Sequence, residues 1–350
     1  MQTIGYAAQS KDSVLAPFSF ERRDLRAGDV AIDILYCGVC HSDLHHAHND
    51  WGNTVYPAVP GHEIVGRVSA VGEGVTRYAV GDNVAVGCMV DSCQHCDQCD
   101  KGEEQLCRNG FTGTYGGHDP VFDTPTRGGY SKHIVVREEF VLRVPNGLDL
   151  SRVAPLLCAG ITTYSPLKSW NVQPGSRVGV VGLGGLGHMA VKLASAMGAH
   201  VTVLSRSDAK KADAMALGAD ALLVSSDPEA MAAAASQFDL IIDTVPVEHD
   251  VQPYVPLLDV DGTIVLVGQV GPVGEVNSIP LLFGRRRVAG SLIGGIAETQ
   301  EMLDFCGEKN VLPDIEMIRM DEINDAYERL VKADVRYRFV IDMASLDLAA

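Results

Sequence analysis

A chain of 350 residues is longer than one ordinary core usually holds, so two domains are expected. Its 46% hydrophobic and 21% charged residues are those of a soluble globular protein, and a net charge of −17 leaves no electrostatic footprint for nucleic acid or an anionic membrane. The start, MQTIGYAAQSKDSVLAPF, lacks the basic and apolar regions of a secretory signal, and no long uncharged apolar run follows; a cytoplasmic protein with reduced thiols is expected.

Residues 1–154 read as short strands between glycine and aspartate turns. DVAIDILYCGVC, EIVGRVSAVGEGV and AVGDNVAV, the last turning at Gly81–Asp82, predict an irregular β-barrel. Between the first two lies GVCHSDLHHAHND, with Cys40 and the histidines His41, His45, His46 and His48. In an acidic chain these read either as a metal cluster or as a solvated face. VPGHEIVG follows, with His62 and Glu63.

DSCQHCDQCDKGEEQLC, inside a lobe spanning about 88–110, carries Cys93, Cys96, Cys99 and Cys107. Zinc takes four soft ligands in a tetrahedron, and Cys-x-x-Cys lets one turn present two thiolates. Free surface thiols are the alternative, but four exposed thiols so close together would be an oxidation liability. With all four positions taken by protein, this zinc is structural. Cys158, in APLLCAGITTY, has no spacing rule that links it to Cys40 and His62. Taken singly, the two cysteines also read as small buried hydrophobes and His62 as a loop residue.

From about residue 155 strands alternate with helices, which predicts a doubly wound parallel sheet over 155–294. SRVGVVGLGGLGHMAVKLASAMG places Gly182, Leu183, Gly184, Gly185, Leu186 and Gly187 between a buried strand and a helix. There the first glycine of the G-x-G-x-x-G pattern makes the turn, the second admits a pyrophosphate, and the third packs helix on strand. The second strand ends in Ser205, Arg206 and Ser207, with Lys210 one turn on, where an NAD-type site would carry a carboxylate for the ribose. Hydroxyls and a guanidinium would bind a ribose 2′-phosphate that a carboxylate would repel, so NADP is expected over NAD. The other reading makes Arg206 and Lys210 solvated helix-start residues beside Asp208. Residues 295–350 end in a helix and a strand, EINDAYERLVKADVRYRFVIDM, expected to return to the first domain.

Taken in order, CGVCHSDLH, PGHEIVG, GDNVAVG, the four-cysteine lobe, LLCAGITTY, GLGGLGH and DVRYRFVID span the chain. Together they resemble the zinc-dependent alcohol dehydrogenases of the medium-chain dehydrogenase/reductase superfamily, nearest to the cinnamyl alcohol dehydrogenase branch and its bacterial NADP-dependent aldehyde reductase relatives. The resemblance implies a GroES-like β-barrel catalytic domain, a Rossmann domain and an active site in the cleft between them. It assigns Cys40, His62 and Cys158 to a catalytic zinc, with Glu63 as a substitute ligand and Asp43 orienting the histidine. Ser42 matches the hydroxyl that receives the alcohol proton, and His45 the base that ends the relay through the ribose hydroxyl. His41 and Arg338 match pyrophosphate contacts, and Thr162 a residue packed on the nicotinamide.

The resemblance therefore implies two Zn2+ per chain, NADP(H), a homodimer, and hydride transfer between the cofactor and a primary alcohol or aldehyde. Trp51, Phe111 and Tyr115 are candidate pocket walls for an aromatic or medium-chain substrate, and Trp51 reads equally as barrel packing. The rival readings are an NAD-linked short-chain alcohol or polyol dehydrogenase and a catalytically silent dinucleotide-binding zinc protein.

Overall fold

The computed structural model describes residues 1–268 and 271–346; the end of the expected return segment, 347–350, lies outside the described residues. The chain divides into two compact units, Met1–Cys158 with Gly294–Ala350, and Ala159–Ile293.

In the first unit the strand Asp29–Val39 organises a seven-stranded sheet. Val30, Ile32, Ile34, Cys37 and Val39 are buried along it, as a β-branched, apolar run requires. It pairs antiparallel with Ile64–Val71, His133–Arg137 and Arg338–Asp342. Two registers position the site: Cys37 lies opposite Ile64, and Val39 opposite Phe339. Residues just after Val39, just before Ile64 and just before Phe339 therefore emerge at one end of three neighbouring strands. Register shifts at Ala31/Ile32 and Ile34/Tyr36 bend the long strand, the usual effect of bulges in a curled sheet. The predicted C-terminal helix and strand are Ile323–Val331 and Arg338–Asp342.

Asp29, only 1% exposed, opens that long strand. It accepts from Arg23 Nη2 at 3.0 Å and from Arg26 N at 2.8 Å. Burial alone would raise its pKa, but these donors outweigh burial and hold the carboxyl below the usual carboxylate range. A carboxyl whose folded pKa is depressed adds stability above its unfolded value of about 4, and that stability is lost as pH falls through the folded value. Asp29→Asn is expected to flatten the acid limb of urea midpoint against pH. An acid limb with wild-type slope would show that Asp29 does not carry it.

The second unit is the doubly wound sheet expected from the sequence. Its six strands lie in the order Ala221–Val224, His200–Ser205, Arg177–Val181, Phe238–Asp243, Leu258–Leu266 and Arg287–Gly290, all parallel. Arg177–Val181 runs into the glycine turn, and the helix Gly187–Ala196 leaves it. The helix expected after Ser205 opens as a short 3-10 turn, Asp208–Lys210, before Lys211–Ala216; Ser207 precedes it without a side-chain capping bond.

Candidate active site

Cys40 precedes the helix His41–Ala47 in an extended conformation, and its N–H is accepted by Asp43 at 2.9 Å. Asp43 is fully buried and also accepts from Gly61 N at 2.9 Å, His62 Nδ1 at 2.9 Å and Tyr130 OH at 3.2 Å. Four donors satisfy a carboxylate that would otherwise be costly to bury. They also fix the histidine: with Nδ1 donating to Asp43, Nε2 is left to face the thiols.

The ligand atoms of Cys40, His62, Glu63 and Cys158 all lie within 4.8 Å of one another. Cys40 Sγ and Cys158 Sγ are 4.0 Å apart. A tetrahedron with Zn–S bonds of about 2.3 Å has S···S edges of about 3.8 Å, so two thiolates, an imidazole and a carboxylate at this spacing fit zinc. The Cys158 hydrogen bond pulls the Cys40 thiol well below its ordinary pKa, aided by Arg338 and His62, while Cys158 is pushed up by its bonds to Cys40 and Cys88. Burial pushes Glu63 up to about 7 despite its ion pair with Arg338. Glu63 Oε2 is buried with no hydrogen-bond partner among the described residues, as a spare metal ligand would be. Only glycine fits at 38, because a Cβ there would lie 1.9 Å from that oxygen.

The second cluster is Cys93, Cys96, Cys99 and Cys107, also within 4.8 Å, with Cys93 Sγ and Cys99 Sγ 3.9 Å apart. Arg108 N donates to Cys96 Sγ at 3.4 Å, and such backbone donors bring the Cys96 thiol down to about 6. Glu104 ties the lobe to the C-terminal segment by accepting from Ile296 N at 2.9 Å.

Around the first cluster, Ser42 Oγ is 3.8 Å from Cys40 Sγ. His45 Nδ1 is 2.7 Å from Asp50 Oδ2, and its ring is 5.7 Å from that of Trp51. Tyr115 packs against His46 at 4.6 Å and edge-on to His62 at 5.4 Å. Burial lowers the pKa of His41, which favours a neutral ring. Phe111 is half-buried beyond the cysteine lobe. Arg338 turns its guanidinium to Glu63.

Sequence reasoning missed Cys88 and Tyr130. Cys88 shares a side-chain hydrogen bond with Cys158, and Tyr130 is the fourth donor to Asp43. An extra cysteine outside the lobe's spacing was the one available signal for Cys88; a lone tyrosine carried none.

In the second unit Gly182 has φ +89°, a Cβ at Gly187 would lie 2.2 Å from Gly182 O, and a Cβ at Gly184 would project into open space. These are the turn, the close packing and the free approach that a pyrophosphate cradle needs. Leu183 and Leu186 flank the turn with Gly185 between them, and Thr162 is buried in the helix Ala159–Ser169. Ser205 is half-buried, while Arg206 and Ser207 are exposed. Lys210 Nζ donates to Leu183 O at 2.9 Å, so its ammonium braces the glycine turn.

Among the described residues no helix is long and apolar enough to cross a membrane. Residues 26–146 match the alcohol dehydrogenase GroES-like domain and residues 185–308 the zinc-binding dehydrogenase model. The chain is 53% identical to the aldehyde reductase YahK of Escherichia coli, over 99% of both proteins. It is 55% identical to an NADP-dependent alcohol dehydrogenase C of Mycolicibacterium smegmatis, again over 99% of both. A cinnamyl alcohol dehydrogenase structure from Sorghum bicolor superposes with a TM-score of 0.96 at 48% identity, covering 100% of each chain. Identity of this depth along its whole length means that the chain belongs to the zinc-dependent alcohol dehydrogenases of the medium-chain dehydrogenase/reductase superfamily.

Proposed function

We propose that the chain is an NADP(H)-dependent zinc alcohol dehydrogenase that interconverts primary alcohols and aldehydes with aromatic or medium-chain bodies, running as an aldehyde reductase in the cell. The observation that carries this reading is the convergence of Cys40, His62, Glu63 and Cys158 within 4.8 Å, with Asp43 orienting the histidine. When bound, zinc supplies Lewis acidity at the substrate oxygen and the nicotinamide supplies the hydride.

The chain's own residues do the rest. Cys40, His62 and Cys158 hold the metal, and Glu63 stands by as a further ligand. Ser42 passes the hydroxyl proton towards His45, which the Asp50 carboxylate holds at 2.7 Å. Trp51, Phe111 and Tyr115 wall the substrate; the ring contacts of Trp51 with His45 and of Tyr115 with His62 support that role. Thr162 packs on the nicotinamide, and His41 and Arg338 attend the pyrophosphate. Arg206, exposed and making no side-chain hydrogen bond or ion pair among the described residues, takes the 2′-phosphate with Ser205 and Ser207. The mycobacterial relative's name, NADP-dependent, supports that cofactor.

The same reading makes the enzyme a cytoplasmic homodimer. Ile279, Leu282 and Phe283 on the helix Ser278–Gly284 are exposed, Phe283 at 88%, ahead of the edge strand Arg287–Gly290. Exposed apolar side chains, together with a strand that ends the sheet among the described residues, suit pairing of two copies. Nine cysteines, four of them in the metal-spaced run Cys93–Cys107, suit a reducing compartment.

Initial rates over a panel of aromatic, medium-chain and short-chain aldehydes, with zinc measured on the same samples, test the proposal. A preference for short-chain or polyol substrates would overturn the substrate class. His45→Ala is expected to slow alcohol oxidation by about a hundredfold or more near neutral pH, with recovery at high pH or in added base. An unchanged pH–rate profile would leave His45 a surface residue.

A further inference from the structure

The first unit holds a cavity of about 500 Å³, and none of the proposed zinc ligands lines it. Its walls come from the strand Ala16–Glu21, the ribbon of Met89–Asp91 with Thr112–Gly113, and the loop 119–127. Five arginines line it. Arg23 and Arg26 are neutralised by Asp29 and Asp119, and Arg137 by Asp91 and Glu139. Glu21 and Asp24 face the N-terminal ammonium at 3.9 and 3.6 Å.

Arg22 and Arg127 have no carboxylate partner among the described residues. Arg22 spends its donors on neutral acceptors, among them His133 O at 2.9 Å, Gly128 O at 2.7 Å and Ser131 Oγ at 2.8 Å. Arg127 Nε is buried without a hydrogen bond among the described residues. Both guanidiniums lie over the Phe20 ring, 4.9 and 5.3 Å from its centroid. Burial and the charges of Arg127 and Arg23 push Arg22 down to about 9, the direction expected where positive charge lacks a counter-ion. Val90, Phe122 and Ile134 supply apolar wall. A guanidinium fork beside apolar surface, in a space of ligand size, suits a carboxylate on a hydrophobic body.

We infer that this cavity binds a small carboxylate with an apolar body, an arylalkanoate or a medium-chain fatty acid, its carboxylate on Arg127 and its body against Phe20, Phe122 and Ile134. The test is calorimetric titration of the zinc-loaded enzyme with phenylpropionate and with octanoate at constant ionic strength, with phenylpropionamide as the neutral control. Both carboxylates should bind at one site per chain, and the amide should not. Arg127→Gln should weaken binding roughly ten- to hundredfold, leaving zinc content and the KM for aldehyde unchanged. Phe122→Asp, on an exposed loop, should weaken it through like-charge repulsion and serves if the arginine variant does not fold. Absence of binding, wild-type affinity in either folded variant, or displacement of the carboxylate by aldehyde substrate would overturn the inference.

Discussion

Cys40→Ser protein, purified and desalted, is expected to carry one zinc per chain where the wild type carries two, and to lose turnover by about a thousandfold or more. Serine oxygen is a poor substitute for thiolate on zinc, and Cys40 donates one of two sulfurs in the first cluster. The fold should survive, because Asp43 still caps the helix at the Cys40 backbone and holds Gly61 and His62. Cys158→Ser should behave alike. Cys96→Ser should do the reverse, lowering the melting temperature while the first cluster keeps its metal, since the lobe around it is closed by sulfur and not by an apolar core. Elemental analysis that found one zinc in wild-type protein would sink the two-site reading.

NADPH is expected to exceed NADH by roughly ten- to a hundredfold in kcat/KM. A charge-assisted hydrogen bond of the kind Arg206 can give a phosphate is worth about 1.5–3 kcal/mol, and each 1.4 kcal/mol is about tenfold. The guanidinium is exposed and makes no side-chain bond among the described residues, so nothing has to be broken to engage the ligand. Lys210, by contrast, is held on Leu183 O, and its loss should disturb the glycine turn and both cofactors alike. Ser205→Asp should erase or reverse the preference by repelling the phosphate, with metal content unchanged. Equal use of NADH and NADPH by the wild type would put Arg206 in solvent and favour the NAD-linked alternative.

The features legible in the sequence were those whose geometry is local. Cys93 to Cys107 and Gly182 to Gly187 each lie within a few turns of chain, so spacing alone restricts what they can form. The alternation of strands and helices from about residue 155 predicted the parallel sheet for the same reason. Cys40, His62 and Cys158 are different: the family resemblance named them, and no spacing rule could. Sheet register, with Cys37 opposite Ile64 and Val39 opposite Phe339, brings the Cys40 and His62 segments to one end of neighbouring strands, and Cys158 reaches them from the short helix Ala154–Leu157 packed on the same strands. Only that tertiary pairing sets Arg338 on Glu63, Tyr130 on Asp43 and Cys88 beside Cys158. The pair Arg22 and Arg127, without a carboxylate partner among the described residues, is likewise a product of packing, because a guanidinium's partners are chosen by whatever the fold brings within about 3 Å of it, and not by its neighbours in sequence.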